Sequence, residues 1–248
     1  VPAGKRSWTD LGQKNSIRGD NEMGDRTGDK KGFLFTMLVL GSVCGLIEVI
    51  VKGVLHQSGL HLSGLLAGLG CFLIGIGLAV YRSPSMIMGM GAIACLYKQL
   101  VVPIHGISFM CGANACLAVM LEYGSLAGLS AFTLKAMGRN AASRILTGGA
   151  GVFIGSMIYY FAGMRLNPCP YMLTFNVPGG FTAFIAGESL TWASFGAVLF
   201  PLGWSVGERF REKLFVLIKG NARPYYLKSA FSIVVCLAAS GIFVSMKG

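Results

Sequence analysis

The chain alternates long apolar runs with polar breaks. Seven apolar stretches follow one another at approximately 33–51, 62–81, 84–104, 107–133, 146–164, 181–203 and 226–246. Most are long enough, as helices rising 1.5 Å per residue, to cross a hydrocarbon layer of about 30 Å. The pattern predicts an all-α fold, a polytopic transmembrane helical bundle of about seven helices, with six as the other count. Two breaks are long. The stretch 165–180, RLNPCPYMLTFNVPGG, is rich in Pro and Gly and reads as a loop or re-entrant segment. The stretch 204–225, WSVGERFREKLFVLIKGNARPY, alternates apolar and basic residues, as a basic amphipathic segment lying on the membrane interface does. Residues 1–31 are polar, mixed in charge and without apolar periodicity, which predicts a disordered tail ahead of one transmembrane domain over 32–248. This tail has no signal-peptide pattern, so the first spanning helix is expected to direct membrane insertion.

Composition supports the membrane reading. Hydrophobic residues make up 54% of the 248 and charged residues 12%, with 36 glycines. A soluble domain carries about 25% charged residues, so an ordinary water-facing surface is excluded. Disorder of the whole chain is excluded as well, because low hydrophobicity is its signature.

The net charge of +11 acquires its meaning from position. With the N-terminus cytoplasmic and seven alternating helices, Lys52, Arg165 and Lys247 fall outside and Lys98 falls within a span. Every other basic residue lies on the inner side. That is the positive-inside pattern. It sets the orientation, adds an attraction to anionic lipid headgroups and argues against a nucleic-acid partner; the expected location is a bacterial cytoplasmic (inner) membrane.

Three of the ten acidic residues, Glu48, Glu122 and Glu188, fall inside apolar spans together with Lys98. An ionisable group at mid-bilayer costs about 2.5–3.5 kcal/mol on insertion scales and is a functional-site hypothesis by default. From the topology, Glu48, Lys98 and Glu188 fall in the outer half of the membrane and Glu122 deeper. His56, His61, His105, Asn167, Cys169, Tyr171 and Asn176 fall at the outer face. Structural readings stand beside the functional one. Glu48 and Lys52 have the i,i+4 spacing of a surface ion pair. Lys98 has a stem long enough to snorkel to the headgroups. Glu122 could pair across helices with Lys98, and the histidines could be solvated interfacial residues.

GxxxG spacings occur at Gly41/Gly45, Gly64/Gly68 and Gly151/Gly155, with Ala183/Gly187 as a small-xxx-small variant. They put small residues on one helix face, which suits packing within the bundle. On the first helix the same stripe would also suit a partner membrane subunit. Six of the seven cysteines lie in apolar spans as small packing residues, and there is no CxxC pair to suggest a cluster or zinc. Walker A, HExxH and GxSxG motifs are absent, so no ATPase, protease or hydrolase chemistry is expected and the chain is read as a non-enzyme.

The segments GLIEVIVKGVLHQSGLHLSGLLAGLG (45–70), YRSPSMIMGMGAIACLYKQL (81–100), VPIHG (102–106) and ANACLAVMLEYGSLAGL (113–129) together resemble the S components of energy-coupling-factor transporters and related bacterial membrane proteins, over about 36–135. The resemblance is carried by Gly, Lys and Glu placements. It implies a helical bundle that captures a vitamin-like solute or a metal ion from outside, while other subunits supply the transmembrane coupling and ATP hydrolysis. Glu48, Lys98 and Glu122 match that pattern by position. S components usually have six helices with both ends inside, and the seventh helix here departs from that.

The expected function is therefore that of a membrane substrate-binding subunit of a small-solute transporter. Glu48, Lys98, Glu122 and Glu188 are the candidate substrate-binding residues, with His105 and Asn176 behind them. An opposite-sign pair in a low dielectric suits a zwitterionic or carboxylate-bearing solute. The expected partners are the lipid bilayer, other membrane subunits and the solute, with no cofactor. The alternatives are an anchor subunit of an electron-transfer complex, with quinone or haem at His61 and His105, and a structural subunit of a membrane assembly.

Overall fold

Long runs of Leu, Ile, Val, Met, Ala and Gly satisfy their backbone hydrogen bonds internally as helices, the requirement that lipid imposes on a crossing segment. The computed structural model describes residues 26–55, 62–105, 109–166, 168, 170–220 and 222–245. Five long helices come first: α1 (Arg26–Leu55), α2 (Leu62–Tyr81), α3 (Ser85–His105), α4 (Phe109–Met137) and α5 (Ala141–Leu166). One short turn, α6 (Pro170–Leu173), precedes a longer helical run. That run consists of α7 (Gly180–Phe184), a π-helical turn (Ile185–Ser189) and α8 (Leu190–Gly220), and α9 (Ala222–Ser245) closes the bundle. The described residues contain no strand.

Six segments are long and apolar enough to cross a membrane: Lys30–Val51, Ser63–Tyr81, Gly112–Met137, Ala141–Leu166, Gly180–Val216 and Arg223–Phe243. The protein is an α-helical integral membrane protein. The seventh long helix, α3, packs against α1 and α4. Large apolar side chains point outward all round the bundle, with Phe132 87%, Leu227 74% and Val216 72% exposed. In water such a surface would be a liability, whereas against acyl chains it is the surface the solvent requires.

The bundle closes through glycines. Helices α2 and α8 run parallel, and a Cβ on Gly75 would come 2.5 Å from the Phe200 carbonyl oxygen and 2.8 Å from the Trp204 amide nitrogen. Farther along, Gly64 faces Thr191 and Phe195, and Gly68 faces Phe195 and Leu199. Gly148 on α5 and Gly196 on α8 face one another, each meeting the other's carbonyl oxygen. Gly151 and Gly155 lie against Leu126 and the Glu122 backbone of α4. Gly41 and Gly45 on α1 lie against Ile93 and Tyr97 of α3. Each GxxxG pair thus packs inside the bundle. The first-helix stripe, considered above as a docking face for a partner, is covered by α3.

Three segments differ from the sequence reading. Helix α1 begins at Arg26, inside the stretch read as tail. The 204–225 segment is not a separate interfacial helix, since α8 continues unbroken from Leu190 to Gly220. Pro201 does not interrupt it, and the following GERFREK residues are mostly good helix formers. The 165–180 break is a connection holding the single turn α6, with Asn176 exposed in the bend beyond it.

The corner between α2 and α3 is unusual. Arg82 has a left-handed backbone, φ 52°, and its Nε donates to the Ala79 carbonyl at 3.3 Å. Its guanidinium meets Glu208 Oε1 at 3.1 Å, and Arg144 reaches Glu208 Oε2 at 3.5 Å. Both guanidinium groups lie over the ring of fully buried Trp204, at 4.5 and 5.2 Å from its centre. Burial and the neighbouring Arg211 hold the Arg82 guanidinium below its ordinary pKa, against the opposite pull of Glu208. The cluster ties α2, α5 and α8 together at the basic end of the bundle.

Replacing Gly148 by Ala is expected to destabilise the protein by about 1–3 kcal/mol, because the added methyl meets backbone that cannot rotate away. Gly187, with open space around it, is expected to accept Ala with little change. Thermal unfolding of the two variants in detergent compares them directly.

Candidate functional site

Lys98 lies about two helical turns before the end of α3, and Glu48 lies at the same distance from the end of α1. The two side chains meet across the helices, with Lys98 Nζ 2.6 Å from Glu48 Oε2. Only 17% of the lysine side chain and 11% of the glutamate side chain remain exposed. The lysine also donates to the Ala115 carbonyl of α4 at 3.4 Å. Lys98 is therefore held between α1 and α4 and does not extend toward the headgroups. Glu48 thus pairs across the bundle with Lys98; the Lys52 side chain, the local partner allowed by the spacing, lies outside the described residues.

Glu122 sits near the middle of α4, 5% exposed, and forms no ion pair with any described residue. Its described partner is the Cys71 thiol of α2, which donates to Oε1 at 3.8 Å. The direct Glu122–Lys98 pair considered from sequence is absent, and the two act on one another only through their charges. Next to Glu122, the Tyr123 hydroxyl meets Cys44 Sγ of α1 at 2.7 Å. On α3, Gln99 Nε2 donates to Cys116 Sγ at 3.3 Å, while its buried Oε1 has no hydrogen-bond partner among the described residues. The result is a polar core spread over α1 to α4. It contains two carboxylates, one ammonium, several thiols and an unused amide acceptor.

Glu188 belongs to a different constellation. The π-helical turn before α8 presents it to Ser63 Oγ at 2.6 Å and to Trp192 Nε1 at 3.1 Å, both on Oε2. Trp192 stacks on Tyr159, with ring centres 6.2 Å apart, and Asn114 Nδ2 donates to the Tyr159 hydroxyl at 2.9 Å. π-Helical turns recur at functional sites, and this one aims a carboxylate into the α2–α8 seam. No described contact joins Glu188 to the Glu48–Lys98 pair, so the four candidate residues divide into two groups.

Asn176 is exposed, and the bend around it is closed by its backbone amide on the Leu173 carbonyl at 3.0 Å. It joins neither group through any described contact. His105 ends α3, with its side chain outside the described part, and His56, His61, Asn167 and Cys169 also lie outside the described residues. Among the described residues, no group of three or more His, Cys, Asp and Glu side chains is placed to hold a metal ion. Sequence reasoning missed Ser63, Cys71, Gln99, Tyr123 and Trp192 as members of the polar groups. Trp192 has a local signal, four residues after Glu188 on one helical face. The cross-helix contacts have none.

No family model, no curated protein and no solved structure matches the chain.

Removing one partner of a buried ion pair typically costs about 3–5 kcal/mol, because the other charge is left without compensation. Glu48→Gln and Lys98→Met are each expected to lower stability in that range. The double variant Glu48→Gln/Lys98→Met is expected to recover most of the loss. A double-mutant cycle by thermal unfolding in detergent measures the coupling.

Proposed function

We propose that the protein is a solute-binding membrane subunit of a transporter, taking a small carboxylate-bearing or zwitterionic solute at the Glu48–Lys98–Glu122 cluster. The carrying observation is the composition of that cluster. A nearly buried ion pair stands beside a second buried carboxylate that lacks a cation of its own, within helices that lipid surrounds. For stability alone, apolar residues of similar volume would serve as well or better. A ligand gives the charges a purpose: its carboxylate can replace Glu48 on Lys98, and its ammonium group can be shared by Glu48 and Glu122. The unused Gln99 acceptor adds a place for a ligand donor. The resemblance of residues 36–135 to transporter S components points the same way. Coupling to ATP hydrolysis then belongs to other subunits, because the chain has no Walker A motif.

The test is a thermal-shift screen of the detergent-purified protein against amino acids, short carboxylic acids and betaines, followed by equilibrium binding of whichever compound stabilises it. Binding is expected to fall at least tenfold in Lys98→Met and in Glu122→Gln and to survive Asn176→Ala. If binding persisted unchanged in both cluster variants, the assignment would be wrong. Copurification with ATPase subunits is the second expected result, whereas a haem absorption band with cytochrome partners would establish an electron-transfer anchor instead.

A further inference from the structure

Beside the charged cluster, Cys95 of α3 and Cys116 of α4 make a reciprocal contact. Cys95 Sγ donates to the Cys116 carbonyl at 3.5 Å, and Cys116 Sγ donates to the Cys95 carbonyl at 3.6 Å. Each residue thus faces the other across an antiparallel helix seam with no side chain between them. A disulfide requires the two Cα atoms to lie within about 7 Å, and a thiol that touches the opposite main chain is consistent with that separation.

The surroundings distinguish this pair from cysteines that only fill space. Both residues are half-buried, and Cys95 stands midway along α3, next to outward-facing Ala92 and Leu96, the latter 64% exposed. The Cys95 side of the pair therefore borders the outer surface of the bundle, the surface that lipid covers. The Gln99 amide already donates to Cys116 Sγ at 3.3 Å, so charge developing on that sulfur meets a donor. Cys44 and Cys71 are fully enclosed and bonded to Tyr123 and Glu122, and they lack this access.

We propose that Cys95 and Cys116 form an intramembrane dithiol–disulfide site whose oxidant is a lipid-dissolved quinone. In the forward step both S–H bonds break and one S–S bond forms. The two electrons and two protons pass to the quinone, which leaves as the quinol. A quinone fits because it carries two electrons and two protons together and partitions into the layer where the thiols are accessible. The bridge fastens α3 to α4 at a point one helical turn from Lys98, so the state of the quinone pool decides whether the lysine-bearing helix can shift against α4. The proposal is independent of the solute-binding reading, because its test reads sulfur chemistry alone.

The full chain is reconstituted in liposomes, reduced, freed of reductant under anaerobic conditions and treated with decylubiquinone. Peptide mass mapping is expected to show a Cys95–Cys116 link with loss of two hydrogens and a matching yield of quinol. The link and the quinol are expected to disappear in Cys95→Ser and to persist in Cys236→Ser. In the unsubstituted protein, quinone treatment is expected to protect both thiols from a lipid-soluble maleimide, a readout that needs no variant to fold. Absence of the link in quinone-treated liposomes, a covalent quinone adduct on either cysteine, or equally fast oxidation by a membrane-impermeant charged disulfide would each overturn the proposal.

Discussion

The close glycine contact between α2 and α8 is the constraint on which the remaining arrangement depends. Lipid supplies no hydrophobic drive to pull two apolar helices together, so association rests on van der Waals fit between backbones. Gly64, Gly68 and Gly75 on α2 provide that fit along its length, and the Gly148–Gly196 contact extends it to α5. With α2 fixed in the interior, Cys71 is turned toward Glu122 and Ser63 toward Glu188. A side chain larger than hydrogen in the seam would separate the helices and leave both carboxylates without their thiol or hydroxyl partner.

Around that seam the polar groups are arranged by depth. The Arg82–Arg144–Glu208 cluster over Trp204 stands at the basic end, where water and headgroups are near, and it can tolerate net positive charge. The Glu48–Lys98 pair lies farther along, with little exposure, and its charges are matched one to one. Glu122 lies deepest and has only a thiol, the arrangement hardest to account for by stability alone. Apolar side chains fill the interior around these groups, among them Ile74, Leu78, Met86, Ile87, Met90 and Leu126 of α2–α4. The charged cluster of α1–α4 stands apart from the Glu188 group in the α2–α8 seam, and it is in the former that the solute-binding and dithiol proposals converge.

How much was legible in the sequence differs between fold and site. The seven apolar stretches correspond to seven long helices, because hydropathy along a chain is a local property and lipid enforces it locally. The 204–225 segment shows the limit of that logic. Its basic residues suggested an element apart, but helix continuity depends on backbone propensity, and nothing between Pro201 and Gly220 breaks the helix. For the site, the improbability of burial alone selected Glu48, Lys98, Glu122 and Glu188 from the sequence. Their grouping was not readable. Glu188 joins Ser63 and Trp192, and Glu48 joins Lys98, through helix rotations that no single segment encodes.

By itself, then, the sequence determined the class of protein, the order of its helices, and the identities of the few buried charges. These follow from transfer free energies that act residue by residue. Only the tertiary structure decided which charges meet, that the first-helix glycine stripe is occupied by Ile93 and Tyr97, and that Cys95 and Cys116 face one another. Those outcomes depend on how each helix is rotated and how closely it approaches its neighbours, and such relations exist between segments rather than within any one of them.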